Sequence, residues 1–143
     1  MTIGLCADHA GFLKKEFIKK ILDKKGIAYH DYGTHSADSC DYADFAHPLA
    51  NAVENGDVYP GIACCGSGNG INMTLNKHQK IRSALCWAEE LAKLARQHND
   101  ANVLTIPARF VTEDEVEKMI DAFLSTPFEG GRHQNRIDKI PVC

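Results

Sequence analysis

Short apolar runs alternate with amphipathic stretches along the chain, and this alternation restricts the possible folds more than any other feature. Runs typical of buried strands occupy residues 3–7, 27–32, 61–65, 81–86 and 102–106. Between and after them, the three- and four-residue apolar spacing of helices covers residues 12–22, 42–54, 69–77, 88–98 and 113–124. Strands separated by helices close compactly as a parallel sheet with right-handed crossovers. The sequence therefore predicts an α/β fold, a three-layer doubly wound (Rossmann-like) five-stranded parallel sheet with helices on both faces.

Size and charge narrow the functional classes. With 143 residues, of which 44% are hydrophobic and 24% charged, we expect a single domain over residues 1–143. A net charge of −3 without a long basic block excludes typical nucleic-acid and acidic-membrane binders, so we expect neither partner. The first residues lack a basic leader, and no apolar run approaches the ~18 residues of a membrane span. We therefore expect a cytoplasmic protein.

The chain has six cysteines, which we interpret as reduced thiols. A chain with a full-sized apolar core does not depend on disulfides for its stability. There is no Cys-x-x-Cys pair and no His-rich spacing, so the sequence predicts no metal site.

The segment GIACCGSGNGI at residues 61–71 places a thiol between a strand and a glycine-rich turn. Backbone N–H groups of such a turn, and the positive end of a following helix, stabilise a thiolate or a bound oxyanion. Either Cys65 is a reactive thiol, or both cysteines are small apolar residues that pack the strand. The glycines at 66, 68 and 70 lack the Gly-x-Gly-x-x-Gly spacing, and no Gly-Lys-Ser/Thr follows, so a nucleotide site is not predicted.

Polar residues follow several of the predicted strands. In doubly wound sheets, ligands bind at the carboxyl ends of the strands. The candidates there are Asp8, His9, Gly33, Thr34, Cys65, Gly66, Ser67, Trp87 and Arg109. Asp8 is also suited to cap the next helix, and His98 to interact with the dipole of its own helix.

The tail, residues 126–143, contains Arg132, His133 and Arg136. Arginines four residues apart share a helix face and can address one phosphate, although a solvated charged face has the same pattern. A tail distant from its own site could reach the site of a neighbouring subunit, which favours an oligomer.

Six motifs together resemble ribose-5-phosphate isomerase type B, in the same order and spacing. They are DHAGF at 8–12, DYGT at 31–34, DY at 41–42, CGSGNG at 65–70, RQHNDANV at 96–103 and EGGRHQNR at 129–136. Galactose-6-phosphate and allose-6-phosphate isomerases share much of this pattern. The resemblance implies cofactor-free interconversion of ribose 5-phosphate and ribulose 5-phosphate through an enediolate, a step of the pentose phosphate pathway. The alternatives are one of the two hexose-phosphate isomerases, or a non-catalytic sugar-phosphate-binding module on the same fold.

The resemblance also implies catalytic roles. Cys65 would be the base, because Ile71 stands where one branch of the family carries a glutamate base. Ser67 would pass a proton between the substrate oxygens, and His98 with Asp8 would open the furanose ring.

Binding roles follow in the same way. The amides of the 66–70 loop (Gly66, Gly68, Asn69 and Gly70) would hold the oxyanion, and Tyr42 and Asn99 would contact sugar hydroxyls. His9, Arg109, Arg132 and Arg136 would hold the phosphate. In the family the site lies between two subunits, so we expect a homodimer or tetramer in which His98, Asn99 and the tail arginines come from the partner. No role is assigned to His133.

Overall fold

The computed structural model describes residues 1–142, which form one five-stranded parallel sheet flanked by helices. The strands are β1 (Thr2–Ala7), β2 (Ala28–Asp31), β3 (Gly61–Cys65), β4 (Ser83–Leu85) and β5 (Val103–Pro107). The helices are α1 (Phe12–Lys25), α2 (Tyr42–Glu54), α3 (Asn69–Leu75), α4 (Glu89–Asn99), α5 (Glu113–Ser125) and α6 (Arg132–Ile137). The strand order is β2-β1-β3-β5-β4, and every pairing is parallel. The predicted fold class is confirmed.

Two apolar layers enclose the sheet. On one face, buried residues of α1, α4 and α5 pack against alternate strand residues such as Ile62 and Cys64. On the other face, α2 and α3 pack against the intervening residues, Ala63 and Cys65. Because successive strand side chains point to opposite faces, β3 supplies both cores, and all five of its residues are buried.

The fourth strand is shorter than the apolar pattern predicts. Ile81 is buried, but its N–H bonds to the carbonyl of His78 in a turn, so the strand begins only at Ser83. The Asn76 side chain then pairs with both the N–H and the carbonyl of Ser83, at 2.8 and 2.9 Å. This side chain takes the place of a further strand at the edge of the sheet.

The topology determines where polar residues can meet. The strand order reverses between β1 and β3, which adjoin with Ala7 opposite Cys64, so a crevice opens at their carboxyl ends. In contrast, α4 connects β4 to its parallel neighbour β5. It must therefore run back to the edge of the sheet where the strands begin. The last residues of α4, His98 and Asn99, therefore lie at the opposite edge of the sheet from Cys65.

Within residues 1–142, no helix combines the length and apolar character needed to cross a membrane. The cysteines in this part of the chain, Cys6, Cys40, Cys64, Cys65 and Cys86, are free.

Candidate active site

A polar cleft lies at the carboxyl ends of β1, β3 and β5. Asp8, His9 and Ala10 line it after β1, and Arg109 lines it after β5. The other lining residues are Cys40, Asp41, Tyr42, Cys65, Gly66, Ser67 and Gly70. The structure thus brings together the candidate residues that follow the first, third and fifth strands.

Cys65 is the thiol of this cleft, and only 4% of the residue is exposed. Burial raises the pKa of the Cys65 thiol above its ordinary value. The backbone N–H groups of Ile71, Gly68 and Gly70 favour the thiolate and lower this pKa, while the Asp8 charge raises it. The loop amides therefore act as the sequence predicts, but burial outweighs them, so the pKa of the Cys65 thiol is raised overall.

The Asp8 carboxylate supports the turn before α1. Its Oδ1 accepts hydrogen bonds from the N–H groups of Ala10 and Gly11, at 2.9 and 3.0 Å. The same residue is only 6% exposed and lines the cleft. The cap residue of α1 is Gly11 and no side chain caps this helix, so the prediction that Asp8 caps it is wrong: Asp8 instead fixes the turn that leads into α1, from a position in the cleft.

The imidazole of His9 is oriented by the neighbouring loop. The backbone N–H of Cys40 donates to Nδ1 of His9 at 3.3 Å. In the neutral ring, Nδ1 is then the acceptor and Nε2 carries the proton. Nε2–H is the group that His9 can offer to an anion.

The glycines of the 66–70 loop let two larger side chains approach its backbone. A Cβ on Gly70 would lie 2.4 Å from the ring of Tyr42, and one on Gly66 would lie 3.3 Å from Nη1 of Arg109. Gly68 is the cap residue before α3 and has a φ of +80°, a left-handed conformation that favours glycine. The loop is tied to the end of β5, because Arg109 N–H donates to the carbonyl of Gly66 at 3.0 Å.

Ser67 and Asn69 lie on the outer side of the same loop. The Ser67 hydroxyl accepts a hydrogen bond from the Asn69 N–H at 3.3 Å. Both residues border a second, more apolar cleft, together with Leu85, Trp87, Pro107 and Phe110. Ser67 therefore belongs to both clefts.

A third cleft holds the remaining candidates and is distant from Cys65. His98 and Asn99 at the end of α4 line it, together with His133, Arg136, Ile137 and Ile140. Arg132 is exposed on the first turn of α6, which packs on α4. Since α4 has 11 residues and spans about 16 Å, His98 and Asp8 of one chain do not meet.

Sequence reasoning missed two groups of residues. Cys40 lies next to His9 only through the fold, 31 positions along the chain. Glu129 was not singled out, and neither it nor His133, to which no role was assigned, was expected to lie against His98, because this contact depends on how the tail folds back on α4. For Cys40, the only signal in the sequence was its position next to the motif of Asp41 and Tyr42.

The chain matches one protein family and its solved structures over nearly its whole length. A profile of the family described as Ribose/Galactose Isomerase matches residues 3–140. The probable ribose-5-phosphate isomerase B of Mycoplasma genitalium is 45% identical over 141 residues, covering 97% of this chain and 93% of that protein. Ribose-5-phosphate isomerase B of Escherichia coli is 41% identical over 138 residues, covering 96% of this chain and 93% of the relative.

Two solved structures show the same architecture. The ribose 5-phosphate isomerase of Thermotoga maritima is similar with a TM-score of 0.96 and 42% identity, covering 98% of this chain and 97% of that one. The Mycoplasma genitalium ribose-5-phosphate isomerase B with bound ribulose-5-phosphate has a TM-score of 0.92 and 44% identity, covering 97% and 93%.

Proposed function

The chain belongs to the ribose/galactose isomerase family, and from this premise we propose that it interconverts ribose 5-phosphate and ribulose 5-phosphate, with Cys65 as the catalytic base. The observation that carries the proposal is the position of Cys65 in a crevice where the strand order reverses, surrounded by loop amides. A similar structure that holds ribulose 5-phosphate supports the choice of substrate. The reaction is a step of the pentose phosphate pathway.

The chemistry requires a base and a stabilised oxyanion. The base removes the proton from C2 of the open-chain aldose and returns it to C1, while a hydroxyl proton passes from O2 to O1. We assign the carbon-to-carbon transfer to Cys65 and the transfer between oxygens to Ser67. The N–H groups of the 66–70 loop, from Gly66, Gly68, Asn69 and Gly70, stabilise the enediolate oxygen.

The environment of Cys65 suits this task. A thiol whose pKa is raised by burial is a stronger base once it is ionised, although less of it is ionised at neutral pH. The amides that favour the thiolate are the same groups that would donate to the enediolate. Negative charge on sulfur and on the substrate oxygen is therefore stabilised by one set of donors.

Ring opening requires groups that a single chain keeps apart. We assign this step to Asp8 and His98, which line different clefts of one chain. A second copy of the chain must therefore supply His98 and Asn99, so we propose a homodimer with shared active sites, alone or paired into a tetramer. Residues 126–143 of each chain would then reach the partner's site.

The candidate phosphate-binding residues are also divided between the two clefts of one chain. His9 and Arg109 line the cleft of Cys65, while Arg136 lines the cleft of His98 and Arg132 lies on the same short helix. Arginine forks match phosphate oxygens. In the proposed dimer, one pair of residues from each chain would hold one phosphate, and Tyr42 and Asn99 would contact the sugar hydroxyls between them.

The test is ketose formation by the purified protein in reducing buffer with a chelator. Ribose 5-phosphate, allose 6-phosphate and galactose 6-phosphate are assayed side by side, with Cys65→Ala as the control. Turnover of ribose 5-phosphate that Cys65→Ala abolishes would support the proposal. Preferred turnover of a hexose phosphate would make that sugar the substrate instead of ribose 5-phosphate. No turnover of any of the three sugars would indicate a non-catalytic binding module.

A further inference from the structure

Three side chains with metal-binding atoms converge where α6 packs on the end of α4, and one of them is the ring-opening candidate His98. His98 lies in the last turn of α4, Glu129 precedes α6, and His133 is the second residue of α6. The segment is held against α4, because the N–H of Glu129 donates to the carbonyl of Gln97 at 3.1 Å. The cluster is therefore built from two elements that the fold fixes together.

The distances within the cluster are too long for direct hydrogen bonds. Nε2 of His133 lies 3.4 Å from Oε1 of Glu129, and Nε2 of His98 lies 3.9 Å from the same oxygen. N–H···O hydrogen bonds typically span about 2.7–3.2 Å. Ligands around a tetrahedral zinc ion, with bonds of about 2.0–2.2 Å, are instead roughly 3.3–3.5 Å apart. The pair of Glu129 and His133 has this separation, whereas the ring of His98 must reorient before its Nε2 can bind the same ion.

The donor set also suits zinc. Two imidazoles and one carboxylate form the three-ligand set that zinc uses when its fourth position stays open. All three ligand atoms lie within 4.8 Å of one another. The rings of His133 and His98 stack nearly parallel, with centroids 4.5 Å apart and an interplanar angle of 14°. Because a metal ion lies in the plane of the imidazole that ligates it, the more exposed His98 ring must turn out of this stack to bind, while His133, only 6% exposed, stays in place. Arg136 lines the same cleft, and its positive charge opposes a cation and limits the affinity.

We propose that His98, Glu129 and His133 form a reversible Zn²⁺ site, and that the bound ion inhibits the enzyme by occupying Nε2 of His98. This departs from the sequence-based expectation of no metal site, which rested on local spacing alone. The effect on turnover rests on the proposed function, because His98 is assigned to ring opening. The binding of the ion to these three side chains does not depend on the proposed function.

Binding is tested on the metal-free protein with Co²⁺ as a spectroscopic probe, displaced afterwards by Zn²⁺. We expect visible d–d bands without the charge-transfer band of a cobalt–thiolate bond. Glu129→Gln and His133→Gln should each weaken binding about tenfold or more. A thiolate charge-transfer band that disappears in Cys65→Ala or Cys40→Ala would overturn the proposal, as would the absence of Co²⁺ binding.

Inhibition is tested with ribose 5-phosphate in a buffer free of chelator. We expect Zn²⁺ to inhibit the unmodified protein, a chelator to restore its activity, and Glu129→Gln to lose the inhibition when its rate with Zn²⁺ is compared with its own rate in the presence of chelator. Glu117→Gln removes the same charge from an exposed position on α5 and should leave the inhibition unchanged. Equal inhibition of Glu129→Gln and Glu117→Gln would overturn the proposal. A protein without any turnover would refute the proposed function, while the Co²⁺ titration would still decide the site.

Discussion

Cys64 and Cys65 are consecutive residues of β3, yet their side chains lie in different layers of the protein. Cys64 packs in the core beneath α1, α4 and α5, where burial raises its pKa to about 12. Cys65 lies in the layer of α2 and α3 and lines the polar cleft. The alternation of the strand thus exposes only one of the two thiols to a substrate, and it provides a matched pair of variants.

Cys65→Ala should lower kcat for ribose 5-phosphate by about 10²–10⁴-fold, because removal of a general base typically has this effect. The affinity for the sugar phosphate should change little, since the phosphate contacts remain. Rates and equilibrium binding are measured on the same preparation. Cys64→Ala is the control. It should retain turnover and lose on the order of 1 kcal/mol of unfolding free energy from the core. Comparable turnover in Cys65→Ala and the unmodified protein would contradict the assignment of the base.

The pH dependence of thiol alkylation should report the environment of Cys65. Burial raises its pKa, so in the absence of substrate the rate of carbamidomethylation at Cys65 should keep rising with pH beyond the range in which a free thiol titrates. The rate is followed by mass spectrometry of the peptide that contains residue 65, with a small thiol as the reference. A midpoint below that of the small thiol would show that the loop amides, rather than burial, dominate.

The sequence predicted most of the fold because its signals are local. The bounds of β3 and α2 agree with the prediction to the residue, since glycine or polar turns delimit both. The fourth strand was predicted too long, because an apolar run does not reveal that Ile81 lies in a turn or that Asn76 pairs with the edge of the sheet.

The site was predictable where it follows strand ends and not where it depends on contacts across the chain. Cys65 and Asp8 follow from the rule that ligands bind at the carboxyl ends of parallel strands. The direction in which the pKa of Cys65 is shifted could not be predicted from the sequence, because it depends on whether burial or the loop amides have the larger effect, and packing decides this. The approach of Glu129 to His98 depends on how the tail returns to α4, which no periodicity encodes.

Mixed dimers should distinguish a shared site from one within a single chain. Cys65→Ala and His98→Gln should each be nearly inactive alone. A dimer with one subunit of each variant has one site that carries both substitutions and one intact site. When the two variants are mixed in equal amounts and exchange subunits, half of the dimers are of this kind. Activity should therefore recover to roughly a quarter of that of the unmodified protein. The rate of ketose formation after mixing is the measurement.

The control for that experiment replaces His98→Gln with the double variant Cys65→Ala/His98→Gln. Every site in the resulting dimers lacks the thiol, so no activity should return. If the mixture of single variants is also no more active than the sum of its parts, while subunit exchange is shown by mass, Cys65 and His98 of different chains do not share a site.

Removing one partner of the buried ion pair between Lys15 and Asp31 should cost much more stability than removing one partner of a surface pair. Lys15 is 1% exposed and its ammonium contacts the Asp31 carboxylate, which also accepts from Lys19 and from the N–H of Gly33. Burial opposes ionisation of Asp31, but these hydrogen bonds outweigh it, so the pKa of the carboxyl lies below its ordinary value. Asp31→Asn leaves the buried ammonium of Lys15 with only the Glu16 carboxylate, 3.4 Å away, as a counter-charge, and should cost about 3 kcal/mol at neutral pH.

The matched control is Asp121→Asn, which breaks the exposed pair with Lys25 and should cost less than about 1 kcal/mol. The pH dependence gives a second check. Because the folded pKa of Asp31 is depressed, its contribution is complete above the unfolded pKa of about 3.9 and is lost as the pH falls through the folded value. Urea unfolding should therefore show that the difference between Asp31→Asn and the unmodified protein is constant near neutral pH and shrinks below pH ~4. A difference that grows on acidification would mean that Asp31 is not the counter-charge of Lys15.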